Sequence, residues 1–313
     1  MTEGYRALRE GAALIDLGGR GKIRATGEDR VRLLHAMTTN HVEQLVPGQG
    51  CYAFFLNAQG RILADVNLLC FEDQFLLDTE PETREKVFTH LDKYIIADDV
   101  TIEDVTEQIA TIGLEGPQAG QLLASLGAPA PAASHETATW NEWTVARLSA
   151  SGAEGYWIMA PAPDKAALTE RLRQAGAAAA EAGDIRTVRL EHGRPRYGED
   201  LTEKHIANEA QVMRALHFHK GCYLGQEIVE RVRSRGQVHR RLVRLEIRSV
   251  EPPAPGAELT AEDKVVGEIT SAAYSPAAGA VVALGYVRDH HAREGAELRL
   301  GDAVATVVAA QPA

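Results

Sequence analysis

The sequence predicts an α+β protein built from two mixed modules with antiparallel sheets, followed by a small C-terminal β-barrel. Three observations carry this. Strand-like runs come in clusters joined by short turns, with single helices between clusters and no sustained βαβ periodicity. The strand-then-helix cycle repeats after about residue 106. The C-terminal stretch holds five short strand-like runs at barrel-like spacing.

In chain order, Val31, Leu34 and Met37 recur at helical spacing behind Thr26, which is placed to cap the helix. Cys51–Leu56, Arg61–Phe71 and Phe75–Asp78 read as strands joined by Asn-Ala-Gln-Gly and Glu-Asp-Gln turns. Glu82–Ile96 reads as a helix with Val87, Leu91, Tyr94 and Ile95 on one face, and Val100–Val105 as the returning strand. The second cycle opens with strand Gln108–Leu114, then a short helix after Gly116-Pro117 that ends at Gly127. Ala128–Thr139, rich in Ala and Pro, reads as an exposed loop. Trp143–Leu148 and Gly155–Met159 read as paired strands, and Asp164–Ala175 as a helix.

The Pro-rich run Glu251–Gly256 is the clearest break in composition. Beyond it, Glu258–Leu259, Val265–Thr270, Ala280–Val287, Glu297–Leu300 and Ala303–Val308 read as barrel strands. This divides the chain into residues 1–240, holding two interleaved modules with an internal boundary near 106–182, and a barrel over 241–313.

The 313 residues are 45% hydrophobic and 25% charged, ordinary globular usage for a chain long enough to bury its own core. Three cysteines without a Cys-x-x-Cys pair exclude a disulfide framework, a zinc ribbon and a four-cysteine cluster held by this chain alone. Asp16 interrupts the first apolar stretch, and no run approaches the ~20 apolar residues of a membrane helix. The expectation is a cytoplasmic protein with no membrane partner. The net charge of −11 argues against general nucleic-acid binding. Between Arg214 and Arg248, however, nine basic residues face three acidic ones, which suits either a solvated face or a lip for an anionic ligand.

The least ordinary segment is Lys220-Gly221-Cys222-Tyr223-Leu224-Gly225-Gln226-Glu227. A helix starting near Gly225, with Lys220 two residues away, favours a thiolate at Cys222; a small buried cysteine is the ordinary alternative. In Arg189–Asp200, read as a loop after a short helix, Arg189 and Glu191 share one side if the turn is extended. Glu191 could then accept paired N–H bonds from an aminopyrimidine edge, or it could simply form a structural ion pair. Asp65 and Asn67 alternate with apolar neighbours and face one side of a strand. His217 and His219 could form a metal pair, but no third ligand is identifiable, so no metal site is assigned.

Lys220–Glu227 resembles the signature of the YgfZ family of folate-binding proteins, which share their fold with the T-protein aminomethyltransferase of the glycine cleavage system. Gly27-Glu28-Asp29, the turn Gly48–Tyr52, the loop Arg189–Asp200 and Gly267–Ser271 continue the resemblance. It implies an aminomethyltransferase-like fold, with two modules and a barrel around a central tetrahydrofolate pocket. By the same resemblance Glu191 grips the pterin, Tyr197 lies in the matched loop, and Asp65 corresponds to one carboxylate of an Asp-Asp pair near the reactive nitrogens. Ala64 stands where the other would be, which argues against aminomethyl transfer.

Lys220 and Cys222 are expected beside the ligand, with Arg231, Arg233 and Arg235 facing its carboxylates. The implied function is a tetrahydrofolate-binding accessory protein for iron–sulfur cluster assembly or repair on client proteins, with Cys222 as the reactive group. The alternatives are a folate-dependent aminomethyl transferase using Asp65, and a role in tRNA modification through the basic stretch.

Overall fold

The computed structural model describes residues 1–236 and 238–309. The chain opens with α1 (Glu3–Glu10), β1 (Ala13–Asp16), β2 (Gly21–Thr26) and α2 (Arg30–Met37). There follow β3 (Gly50–Leu56), β4 (Ile62–Cys70), β5 (Phe75–Thr79), α3 (Arg84–Asp92) and β6 (Thr101–Asp104). The second stretch runs β7 (Ile109–Glu115), α4 (Ala119–Ser125), β8 (Thr137–Trp140), β9 (Trp143–Ala146), β10 (Gly155–Pro161), α5 (Lys165–Gln174), β11 (Ala178–Ala179) and α6 (Ala182–Glu191). A long irregular connection leads to α7 (Gln226–Arg235). The chain closes with β12 (Arg240–Ile247), β13 (Glu258–Ala261), β14 (Lys264–Ser275), β15 (Ala280–Arg288), β16 (Glu297–Leu300) and β17 (Ala303–Val308).

These strands make a five-stranded sheet in the order β3-β4-β5-β2-β6, a six-stranded sheet β11-β1-β7-β10-β9-β8, and a closed barrel β12-β15-β14-β13-β16-β17. The α+β architecture with antiparallel sheets and a terminal barrel is the one the sequence predicts. The sheets interleave because β1, before every strand of the first sheet, pairs antiparallel with β7 and parallel with β11 in the second. Among the described residues, no helix is long and apolar enough to cross a membrane.

Alternation along β4 explains how the first sheet is used. Ala64, Val66 and Leu68 join the core beneath α2 and α3, which also holds Leu34, Phe55, Val87 and Leu91. Asp65 and Asn67 therefore face the other way, toward the second sheet and α6. On β3, Tyr52, Phe54 and Leu56 face that same side, where they pack with Tyr197, Tyr223 and the barrel residues Leu284 and Tyr286.

Several expectations need correction. Helix α3 stops at Asp92; Tyr94 and Ile96 are exposed, while Ile95 still packs against the core of the first sheet. The Ala/Pro-rich stretch is not all exposed loop: it ends in β8 and carries buried His135. The Pro-rich run Glu251–Gly256 connects β12 to β13 inside the barrel, since β12 pairs with both β15 and β17. Arg189–Glu191, expected in an extended loop, is the last turn of α6.

Candidate functional site

Two adjoining cavities open where the first sheet, the second sheet, α6 and the barrel meet. The smaller, about 420 Å³, is lined by Tyr52, Asp65 and Asn67 from β3 and β4, Arg20 and Glu80, Trp157 of β10, and Arg189 and Arg194. The larger, about 920 Å³, reaches outward to the barrel past Arg147, Arg214, Arg241 and Arg244. Ser149, Arg194 and Pro195 line both and mark their junction.

Asp65 is the buried acid of the smaller cavity, 6% exposed. Its Oδ2 accepts the Tyr52 hydroxyl at 2.7 Å, while Oδ1 is buried with no hydrogen-bond partner. Burial pushes the carboxyl pKa up to about 6 and nearby Glu80 adds to this, while the Tyr52 bond and Arg20 offset only part. A buried carboxyl oxygen left free on a cavity wall can accept a hydrogen bond from a donor that enters the cavity.

The wall around it is tightly wired. Arg20 donates to Asp78 through Nε at 2.7 Å and pairs with Glu80, which also accepts from Arg196 at 2.9 Å. Its guanidinium sits 4.9 Å over the Trp157 ring. Asp78 also pairs with buried Lys22 at 2.7 Å; burial alone would raise its pKa, but Arg20 and Lys22 more than reverse this. Asn67 donates to Asp78 at 3.2 Å and accepts from His135 Nε2 at 3.0 Å. Burial, reinforced by Arg194 and Arg214, lowers His135 to about 3, so it is a neutral ring donating to Asn67. Glu115 holds the junction loop by accepting from Ser149 Oγ at 2.8 Å and from the Ala150 and Ser151 amides.

Arg194 differs from these. Burial, with Arg214 second, lowers its pKa to about 10, and among the described residues no carboxylate lies within 4.0 Å of its guanidinium. Arg189, by contrast, is tied to Asp200 at 2.6 Å and to Glu199 at 3.0 Å. Arg147 is paired with Glu154, and Arg241 with Asp289. The site therefore offers one free buried acid oxygen at one end and a free guanidinium at the junction, with further arginines beyond it.

The residues singled out from the sequence divide sharply. Asp65 lines the smaller cavity. Glu191 lines neither; it is buried between α1 and the barrel, accepting from Tyr5 Oη at 2.5 Å, Ser275 Oγ at 2.6 Å and Arg9 at 3.2 Å. The cause is helical geometry: at about 100° per residue, positions two apart diverge by about 200°, so Arg189 faces the cavity and Glu191 faces away. Tyr197 is packed in the core, its hydroxyl accepting from Lys86 at 3.3 Å.

Lys220 is buried and donates to the carbonyls of His35, Thr38 and Asn40 at 2.5, 2.6 and 2.8 Å, so it fastens the end of α2 and lines neither of the two cavities. Helix α7 starts at Gln226 with Gly225 as its N-cap, as expected; Cys222 is exposed four residues before it, and the Lys220 ammonium is spent on backbone carbonyls. Arg233 lies on exposed α7, over the Phe218 ring at 4.4 Å, so the cationic lining comes from Arg194, Arg214, Arg241 and Arg244 instead. Among the described residues, neither of these two cavities is lined by Glu191, Lys220 or Cys222.

Tyr52, Asn67 and Arg194 are the residues that sequence reasoning undervalued. Tyr52 and Asn67 are register partners across β3 and β4, and the alternation placing Asp65 on that face places them there too. No local signal distinguishes Arg194 from its neighbours.

The fold belongs to the aminomethyltransferase class. The glycine cleavage system aminomethyltransferase T of Bartonella henselae superposes with a TM-score of 0.89 over 98% of this chain and 87% of that one, at 24% identity. The chain is a member of the glycine cleavage T-protein family: residues 1–220 match the GCVT N-terminal domain, and 240–312 the glycine cleavage T-protein C-terminal barrel domain. Among its relatives are the aminomethyltransferase of Rubrobacter xylanophilus, 31% identical over 90% of this chain and 78% of that protein. Another is a chloroplastic Arabidopsis thaliana protein described provisionally as a transferase, 28% identical over 99% of this chain and 73% of that protein.

Proposed function

We propose that the joined cavities bind tetrahydrofolate or a one-carbon derivative, with the pterin in the smaller cavity and the glutamate carboxylates toward the arginines of the larger. The observation that carries this reading is the free Oδ1 of buried Asp65 facing a cavity whose far side opens onto Arg194. A pterin edge supplies N–H donors for such an oxygen, and carboxylates supply the acceptors that free guanidinium groups require. Calorimetric titration with tetrahydrofolate tests it: saturable binding that weakens in Asp65→Asn and Arg194→Ala supports the assignment, and equal affinity in all three proteins rejects it.

Two activities can rest on such a pocket. The Lys220–Glu227 signature favours an accessory role in iron–sulfur cluster assembly or repair, exercised at the surface, where Cys222 is exposed. Cys222→Ser should then lower the activity of iron–sulfur client enzymes in cells without altering folate affinity. The second reading is aminomethyl transfer with Asp65 as the charged partner of the reacting nitrogen. It is favoured by relatives named aminomethyltransferase and by the position of Ala64. Ala64 points into the core on the opposite face of β4, so a carboxylate missing there removes nothing from the cavity. Turnover of methylene-tetrahydrofolate with an aminomethyl acceptor, abolished by Asp65→Asn, separates this reading from the first.

A further inference from the structure

Beside β3, the edge strand of the first sheet, the fold collects imidazoles from two stretches distant in sequence. His35 comes from the last turn of α2, His41 and Glu43 from the loop after it, and His217 from the connection before α7. The His35 and His41 ring centroids are 4.8 Å apart, and those of His41 and His217 are 5.0 Å apart. One ligand atom from each of His35, His41 and Glu43 lies within 4.8 Å of the others.

Two of the nitrogens are buried and without a hydrogen-bond partner, Nε2 of His35 and Nδ1 of His41. Nδ1 of His217 accepts the His219 amide at 3.3 Å, which leaves its Nε2 free. Polar atoms that converge in burial without partners carry a desolvation cost that a shared ligand would remove.

We propose that His35, His41, His217 and Glu43 form a binding site for one divalent transition-metal ion of the Zn²⁺ or Co²⁺ type. Imidazole nitrogens with one carboxylate oxygen are borderline donors, suited to these ions rather than to Ca²⁺ or Mg²⁺. The 4.8 Å spread of His35, His41 and Glu43 closes to ligation by side-chain rotation, and His217, its ring centroid 5.0 Å from that of His41, joins by turning Nε2 toward them. His35 Nε2 and Glu43 Oε2 are already 3.6 Å apart, and the long 3.4 Å contact from the Glu43 amide to His35 Nδ1 yields as that ring turns and its proton moves to Nδ1.

The scaffold is firm where it must be. Lys220 donates all three of its ammonium hydrogens to the carbonyls that bracket the His35–Asn40 turn, and Glu43 supplies the compensating negative charge. Gly221 leaves room beside the metal-facing atom, since a Cβ there would sit 3.3 Å from His35 Nε2. The sequence reading found no third ligand for His217 because the others lie about 180 residues earlier.

The test uses untagged, chelator-treated full-length protein titrated with Co²⁺ by visible absorption and with Zn²⁺ by calorimetry. One ion per chain is expected, with affinity weakened about tenfold or more in both His41→Ala and His217→Ala. Both side chains are only partly buried, and far-UV circular dichroism checks that the variants fold. Absence of saturable binding overturns the site. So does binding that persists within about threefold in both His41→Ala and His217→Ala, or binding that falls only in the His290→Ala/His291→Ala control.

Discussion

The cavity around Asp65 and the loop Lys220–Glu227 both lie beside β3, the edge strand of the first sheet, and they are built on opposite plans. In the cavity, charged groups are networked but left with one acid oxygen and one guanidinium unsatisfied, the arrangement the proposed ligand would complete. In the loop, the lysine is fully satisfied internally, Gly225 at φ +84 lets the backbone close onto Asn57, and Gly221, Cys222 and Glu227 are presented to solvent. The more distinctive motif in sequence is thus a structural fastening with an exposed tip. The less distinctive strand carries the buried, unpartnered acid oxygen.

Four substitutions probe that contrast, beginning with the strongest. Glu191→Ala is expected to destabilise the fold by about 2–4 kcal/mol, because it strips Tyr5 and Ser275 of a buried acceptor. It should leave folate affinity within about twofold of the parent once folded protein is counted; chemical denaturation and calorimetry read the two effects separately. A large affinity loss with little destabilisation would return Glu191 to the ligand site.

Arg194→Ala comes next, with a loss of about 1.5–3 kcal/mol in folate binding, the range of hydrogen bonds to charged groups. Because no protein carboxylate depends on it, fold stability should hold or rise slightly. Unchanged affinity would move the anion site outward to Arg214 or Arg241.

Asp65→Asn sharpens the comparison through pH. The Asp65 carboxyl titrates near 6 in the fold and near 3.8 when unfolded, so between these values the native state holds the extra proton and stability declines as pH rises. The asparagine variant, which can still accept from Tyr52, lacks that decline. It should be more stable than the parent by about 1–2 kcal/mol at pH 7.5, with the gain gone by pH 4. Parallel stability curves from pH 4 to pH 7.5 would show that Asp65 is not desolvated as described.

The smallest effect is expected for Cys222→Ser. An exposed thiol with no packing role should change stability by less than about 0.5 kcal/mol and leave folate affinity alone. A marked fall in folate binding would mean that the loop and the cavity are coupled through β3.

Legibility followed the range of the interactions. Strands β3, β5, β7, β16 and β17 could be placed within a residue or two from alternation and turn residues, because those signals are local. The face carrying Asp65 and Asn67 was legible for the same reason. Glu191 was misplaced because one local assumption, an extended turn instead of a last helical turn, rotates a side chain by half a revolution. Lys220 was misplaced because its partners are carbonyls about 180 residues away, which no local pattern reveals.

The sequence by itself determined the class of fold, most strand positions and the polar face of β4, since these depend on side-chain alternation and turn chemistry within a few residues. Tertiary structure decided which polar groups on those faces would meet. It left Asp65 and Arg194 free, consumed Glu191 and Lys220 internally, and drew three histidines to one point. Satisfaction of a buried polar atom is a property of everything packed around it, and that exists only once the chain has closed.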